Sequence, residues 1–317
     1  MTTTTRVAEG RPHVEAPRPN RSKRRRGENL AGYAFLTPWL LGFFLLTVGP
    51  MLASLYLSFT RYDLFSAPTW AGLENYQRLF ADPRFIDSVQ VTTLFAVIGV
   101  PVKLAASLAV AMLLNAALGA SGFYRSAFYL PSLVGASVSI AIVWRAIFID
   151  GGIVDRMGQG IGLEAGGWVG DPSRTLPMFV LLTVWQFGAP MVIFLAGLKQ
   201  VPAELYEAAS VDGAGPVRRF LSITLPMLSP VIFFNLLLET INAFQVFASA
   251  FIISNGTGGP ANSTLFYTLY LYIRGFGDFQ MGYASAMAWL LVLVVGLITL
   301  VFFKTSKSWV HYSGETR

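Results

Sequence analysis

No cysteine occurs among the 317 residues. Disulfides, thiolate metal sites and a cysteine nucleophile are therefore excluded. Histidine is nearly absent: His13 and His311 are the two copies, and both lie in the tails. A histidine-based catalytic or metal centre within the body of the chain is excluded by count. Charge is scarce as well. Only 13% of residues are charged, against 54% hydrophobic, where an average soluble domain carries about 25% charged residues. No GxxxxGK[ST] phosphate loop is present, so the chain does not bind ATP by that route. No nucleophile–base or metal-ligand set stands out, which disfavours a membrane-embedded enzyme.

What charge there is sits at the ends. The net charge is +6, and eight of the 23 lysines and arginines precede residue 27. Residues 1–29 read as a disordered basic cytoplasmic tail. Its run Arg21-Ser22-Lys23-Arg24-Arg25-Arg26 abuts a long uncharged stretch. It therefore reads as a topology anchor, not as a nucleic-acid contact.

Residues 30–317 read as one domain of six apolar runs, each near or above the ~20 residues that span a bilayer. They fall at about 33–59, 88–115, 123–148, 176–198, 227–254 and 281–303. The fold class is an all-α polytopic membrane protein in contact with lipid. Orientation follows from the lysine and arginine bias. With the N-terminus inside, the inner side holds 15 of these residues and the outer side seven, and Lys103 lies within a span. Both termini are thus expected in the cytoplasm, as is the soluble segment 199–226.

That segment is the organising stretch. It reads helix, turn, helix. Pro202 suits a first helical turn, and Glu204 and Glu207 sit where the helix dipole favours negative charge. Gly213 suits a left-handed C-cap, and Pro216 opens a second helix. Val217, Phe220, Leu221 and Thr224 then recur as an amphipathic stripe.

Glu207-Ala208-Ala209, then Gly213-Ala214, then Ile223, Leu225 and Pro226 resemble the "EAA" signature of bacterial ABC importer permeases. The spelling EAASVDGAGPVRRFLSITLPMLSP is similar to the carbohydrate-uptake, maltose-type branch. Gly72–Phe85 and Thr257-Gly258-Gly259-Pro260 are similar to loops of sugar permeases. The resemblance implies a six-span permease with a cytoplasmic coupling helix that docks on an ATPase. The coupling set is then Glu204, Glu207, Ala208, Ala209, Asp212, Gly213, Phe220, Leu225 and Pro226. It also implies a second permease subunit in a heterodimer, two cytoplasmic ATPase subunits and an extracytoplasmic solute-binding protein. ATP and magnesium belong to the ATPase chains, with no cofactor here. The location implied is the bacterial cytoplasmic (inner) membrane.

Polar residues within spans point to the pathway, since a mid-bilayer charge costs roughly 2.5–3.5 kcal/mol on insertion scales. Lys103 and Glu239 both fall near the midplane. Glu239 has two readings: a hydrogen-bonding group for sugar hydroxyls, or the partner of Lys103 in an ion pair. Asn235, Glu239 and Asn242 share one helix face by spacing, with Gln245 close by. Trp185 and Gln186 add an aromatic ring and an amide from the preceding span. In the maltose-type family, sugar contacts come from these two spans. Glu239, Thr240 and Ala243 depart from the maltose permeases, which argues against maltose itself. The expected function is the membrane permease of an ATP-driven importer for a sugar or oligosaccharide. A glycerol-phosphate-type substrate, or a proton-coupled secondary transporter, is the alternative.

Overall fold

The computed structural model describes residues 33–116, 121–135, 137–160, 162 and 166–311. The tail at 1–29 lies outside them. The chain divides into two compact units, Met1–Ala53 and Ser54–Arg317. In the first, a helix begins at Tyr33 and widens into a π turn at Phe44–Val48. The turn directly precedes Gly49-Pro50. Proline offers no N–H to the carbonyl four residues back, so the helical ladder must loosen there. Trp39 stacks on Phe43 with ring centroids 5.3 Å apart.

The second unit is built around the helix Pro83–Ala116. Its 34 residues extend about 50 Å at the usual rise. Proline opens it, where a missing N–H does no harm. Its hydroxyls are satisfied along the helix itself: Ser88 donates to the Phe85 carbonyl, Thr92 to Ser88, and Ser107 to Lys103. In an apolar medium such internal pairing is what makes hydroxyls tolerable. The helices Pro172–Trp185, Gly188–Leu198, Ser229–Phe244 and Tyr267–Tyr272 pack around it. Phe95, Phe179, Phe194, Met178 and Met191 fill the shared core.

Four described helices are long and apolar enough to cross a bilayer: Tyr33–Ser58, Pro83–Ala116, Ser229–Ile253 and Met281–Trp309. Two further stretches qualify as bent pairs, Gly122–Val134 with Val138–Gly160, and Pro172–Trp185 with Gly188–Leu198. The runs placed at 123–148 and 176–198 are therefore each broken. In the second the bend is 47°. Its cause is visible in the neighbours. The Ser132 hydroxyl donates to the Gln186 carbonyl and accepts from the Ala189 N–H. A Cβ on Gly188 would lie 2.4 Å from the Phe128 carbonyl oxygen.

Connections also carry structure. The stretch 61–87 contains the helix Glu74–Ala81, and 255–280 contains Tyr267–Tyr272 and a π turn, Ile273–Gly277. A two-residue antiparallel bridge sets Thr60 opposite Trp70 and Arg61 opposite Thr69. The Asn75 amide closes this corner by donating to the Ser58 and Thr60 carbonyls at 2.9 and 2.8 Å. Gly282 lies against the same corner, its position forbidding any Cβ because the Thr60 oxygen would be 2.1 Å away.

Candidate functional site

Within the second unit a cavity of about 430 Å³ opens among the central helices. That is ample for a small solute by the usual size of ligand pockets, ~300–1,000 Å³. Its polar wall includes Lys103, Thr183, Gln186, Glu239, Asn242 and Gln245. Phe95 and Phe179, both buried in the core, back it, and the half-buried Phe247 also lines it. Ser229–Phe244 supplies Glu239 and Asn242, three residues and so about one turn apart on one face. The helix stops at Phe244, and Gln245 follows as its cap.

Lys103 Nζ lies 2.7 Å from Glu239 Oε2. Glu239 thus lines the cavity and pairs with the lysine at the same time. Gln186 lines the cavity while its amide donates to the Gly135 carbonyl at 3.2 Å. It therefore joins the bend of one broken helix to the break of the other.

Two expected pathway residues are elsewhere. Asn235 lies on the same helical face as Glu239, but deeper in the packing; it is buried and donates to the Val231 carbonyl of its own helix. Helical spacing assigns a face, not a depth. Trp185 is absent from the cavity wall and packs with Trp144, ring centroids 5.9 Å apart. Conversely, Ser137, Phe247, Ala248 and Ser249 line the cavity without having stood out in the sequence. Ser137 does so as the N-cap of Val138–Phe148, and Phe247, Ala248 and Ser249 do so at an interruption between Ser229–Phe244 and Ala248–Ile253. No glycine or proline marks that interruption. The Thr268 hydroxyl donates to the Val246 carbonyl there, a tertiary contact that spacing cannot reveal.

The segment 199–226 forms a second feature. The helix Ala203–Val211 begins after Pro202, whose extended ψ of 131° makes it the cap, one place before the first turn. Gly213 has φ +73°. The Ala214 N–H reaches the Ala209 carbonyl and the Gly213 N–H that of Ser210, the paired bonds of a Schellman cap. Arg219 clamps the turn through the Ala214 carbonyl and the Ser210 hydroxyl. Pro216 opens the next helix, which passes through a π turn at Phe220–Thr224 into Leu225–Met227. Tyr206 and Thr224 share a hydrogen bond of 2.9 Å across the two arms. The amphipathic stripe divides: Thr224 is buried and Phe220 half-buried, while Val217 and Leu221 are exposed along with Val211. Glu204, Glu207, Ala208, Asp212 and Leu225 are exposed too; Ala209 and Pro226 are half-buried. The exposed surface thus mixes apolar and charged side chains on helices joined by a capped turn.

A third cluster gathers on Asp82 at the start of the central helix. Its carboxylate accepts from Tyr270, from Tyr283 at 2.7 Å and from Arg274 at 3.1 Å. Arg274 also reaches Asp278 at 3.0 Å. Burial works to raise the Asp82 pKa, but these hydrogen bonds and the guanidinium charge outweigh it and hold the carboxyl below its ordinary value. Burial, with the bond to Asp82, pushes the Tyr270 phenol up to about 12. Among the described residues, no group of three or more His, Asp or Glu is arranged to hold a metal ion.

Comparison with known proteins bears on these features. The family described as "Binding-protein-dependent transport system inner membrane component" matches residues 83–310. A probable ABC transporter permease protein of Bacillus subtilis (strain 168), YesP, is 51% identical over 93% of this chain and 96% of its own length. The lactose transport system permease protein LacF of Rhizobium radiobacter is 33% identical over 91% of this chain and 98% of its own. In fold, the chain is similar to a bacterial alginate ABC transporter solved in complex with an alginate pentasaccharide-bound periplasmic protein. The TM-score is 0.76 at 21% identity, covering 90% of this chain and 97% of that one.

Proposed function

The chain belongs to the family of binding-protein-dependent transport system inner membrane components, and from that premise we propose that it is the sugar-translocating subunit of an ATP-driven importer. The observation that carries the sugar reading is the cavity: amide, hydroxyl and ionic groups together with the half-buried Phe247, among apolar helices. Amides and the carboxylate suit hydroxyl groups, and an aromatic ring suits the apolar face of a saccharide. The relative named for lactose transport supports the same substrate class. A phosphate ester suits the cavity less well, because the one cation lining it among the described residues, Lys103, is already engaged by Glu239.

Energy comes from partners. We assign the exposed surface of Ala203–Val211 and Pro216–Thr224 to docking on cytoplasmic ATPase chains, which carry ATP and magnesium. The Schellman cap and the Arg219 clamp make this a stiff lever, so movement of the ATPases is transmitted to Ser229–Phe244 and its Glu239. A second permease subunit completes the pathway, and an extracytoplasmic binding protein delivers the sugar. The binding-protein family and the similar transporter with its periplasmic protein support that last partner. Both termini lie on the ATPase side.

Saccharide-stimulated ATP hydrolysis by the reconstituted complex tests this reading, with binding protein and a panel of sugars. Wild type is expected to respond to one sugar class. Gly213→Asp is expected to assemble yet respond weakly, since the +73° φ strains any other residue. Uptake that needs no ATPase and follows a proton gradient would defeat the proposal and turn attention to Glu239 as a proton site.

A further inference from the structure

We propose that Lys103 and Glu239 together read a pair of adjacent hydroxyl groups on the sugar ring, which makes Lys103 a specificity-determining residue as well as a counter-ion. The inference rests on the transport reading above. Among the described residues lining the cavity, these two are the one cation and the one anion. An ammonium carries three N–H donors, and a carboxylate has two accepting oxygens. Their mutual contact, 2.7 Å from Nζ to Oε2, uses one of each. Among the described residues no donor meets Glu239 Oε1, and no second acceptor meets Lys103 Nζ. The side chains keep 10% and 12% of their surface open. The pair therefore offers donors and an acceptor side by side on the cavity wall.

Adjacent ring hydroxyls match this edge. Each both donates and accepts, and they sit about one hydrogen-bond length apart. One can donate to Oε1 while its neighbour accepts from Nζ. Neither charge loses its partner in the process, which matters because an uncompensated buried charge is strongly unfavourable. Asn242, three residues after Glu239, extends the same polar edge. Phe247, half-buried at the cavity, is the aromatic residue nearest to hand for the sugar's apolar face.

The test is saccharide binding to the full transporter complex in lipid nanodiscs, with the binding protein left out so that the cavity's own preference is read. The probes are neutral di- and trisaccharides that stimulate ATP hydrolysis, each with its monodeoxy analogues. Wild type is expected to bind about tenfold more weakly when either hydroxyl of one adjacent pair is missing, with little change at other positions. The variant Lys103→Met/Glu239→Leu removes both charges, a replacement that buried ion pairs commonly tolerate. In it the intact sugar should bind about tenfold more weakly, and the analogues should bind alike. If this variant does not assemble, Glu239→Gln is read for a smaller loss at the same two positions. The proposal is overturned if wild type discriminates at no adjacent pair, or if the assembled variant discriminates as wild type does. Absence of any saccharide response overturns the transport reading as well, whereas binding without discrimination at adjacent hydroxyls overturns this inference alone.

Discussion

Asp82 illustrates what one side chain contributes to the scaffold. It receives hydrogen bonds from three residues that follow it by 188, 192 and 201 positions, and so ties the start of the central helix to Tyr267–Gly277 and Met281–Trp309. Bonds to a charged group contribute about 1.5–3 kcal/mol each. Asp82→Asn should therefore lower thermal stability in detergent by about 2 kcal/mol at neutral pH. The pH dependence has a defined sign. The folded pKa is depressed, so the stabilisation is fully present above the unfolded value of about 3.9. It is lost as pH falls through the folded value. The gap between wild type and Asp82→Asn should accordingly close only in strong acid. A gap that instead closed near pH 7 would rule out the carboxylate as its source. Nothing local in Asp82-Pro83 announces this role, since all three donors come from distant parts of the chain.

At the scale of elements, the breaks matter more than the helices. Gly135 interrupts one broken pair, and the bend at Gln186 interrupts the other. A Cβ at Gly135 would lie 2.4 Å from Gln186 Cγ and 2.7 Å from the Pro131 carbonyl oxygen. Gly135→Ala should destabilise by about 1–3 kcal/mol, the usual range for overpacking, and should weaken saccharide binding by displacing Gln186. Adding Gln186→Ala should recover part of the stability and none of the binding, because the carbonyl clash remains. Full recovery in thermal unfolding would mean that the side chain alone sets the bend. The segment 199–226 was more legible. Gly213 and Pro216 are local signals of cap and turn, and the structure uses both; of the two glutamates only Glu204 lies in the first turn. The division of its amphipathic stripe was not legible, because it depends on the π turn at Phe220–Thr224.

For the molecule as a whole, the distribution of apolar surface is that of a bilayer protein. Leu293, Leu297 and Leu300 are 65%, 63% and 67% exposed on Met281–Trp309, while Met287 of the same helix is fully buried. The first group faces outward on an apolar helix, as lipid-facing side chains do, and protein surrounds the last. Leu297→Arg should reduce insertion by about 2.5–3.5 kcal/mol on the biological scale. It would be seen as a loss of membrane-integrated, alkali-resistant protein. Met287→Ala should leave insertion intact and lower stability by about 2–5 kcal/mol through a cavity. Equal effects on insertion would contradict this division of the helix surface.

The sequence by itself determined the class of protein and the place of its parts. Long uncharged runs, scarce charge and the absence of cysteine leave few physical alternatives to a helical membrane protein, and the segment from Glu207 to Pro226 carries its family resemblance in local spelling. It also singled out Lys103 and Glu239, because buried charge in a span is too unfavourable to be incidental. What the tertiary structure decided was depth and interruption. Asn235 and Glu239 share a face, yet only Glu239 reaches the cavity, because packing closes over the lower turn. Helical periodicity carries direction around an axis. Position along it relative to neighbouring helices is set by contacts between residues far apart in the chain.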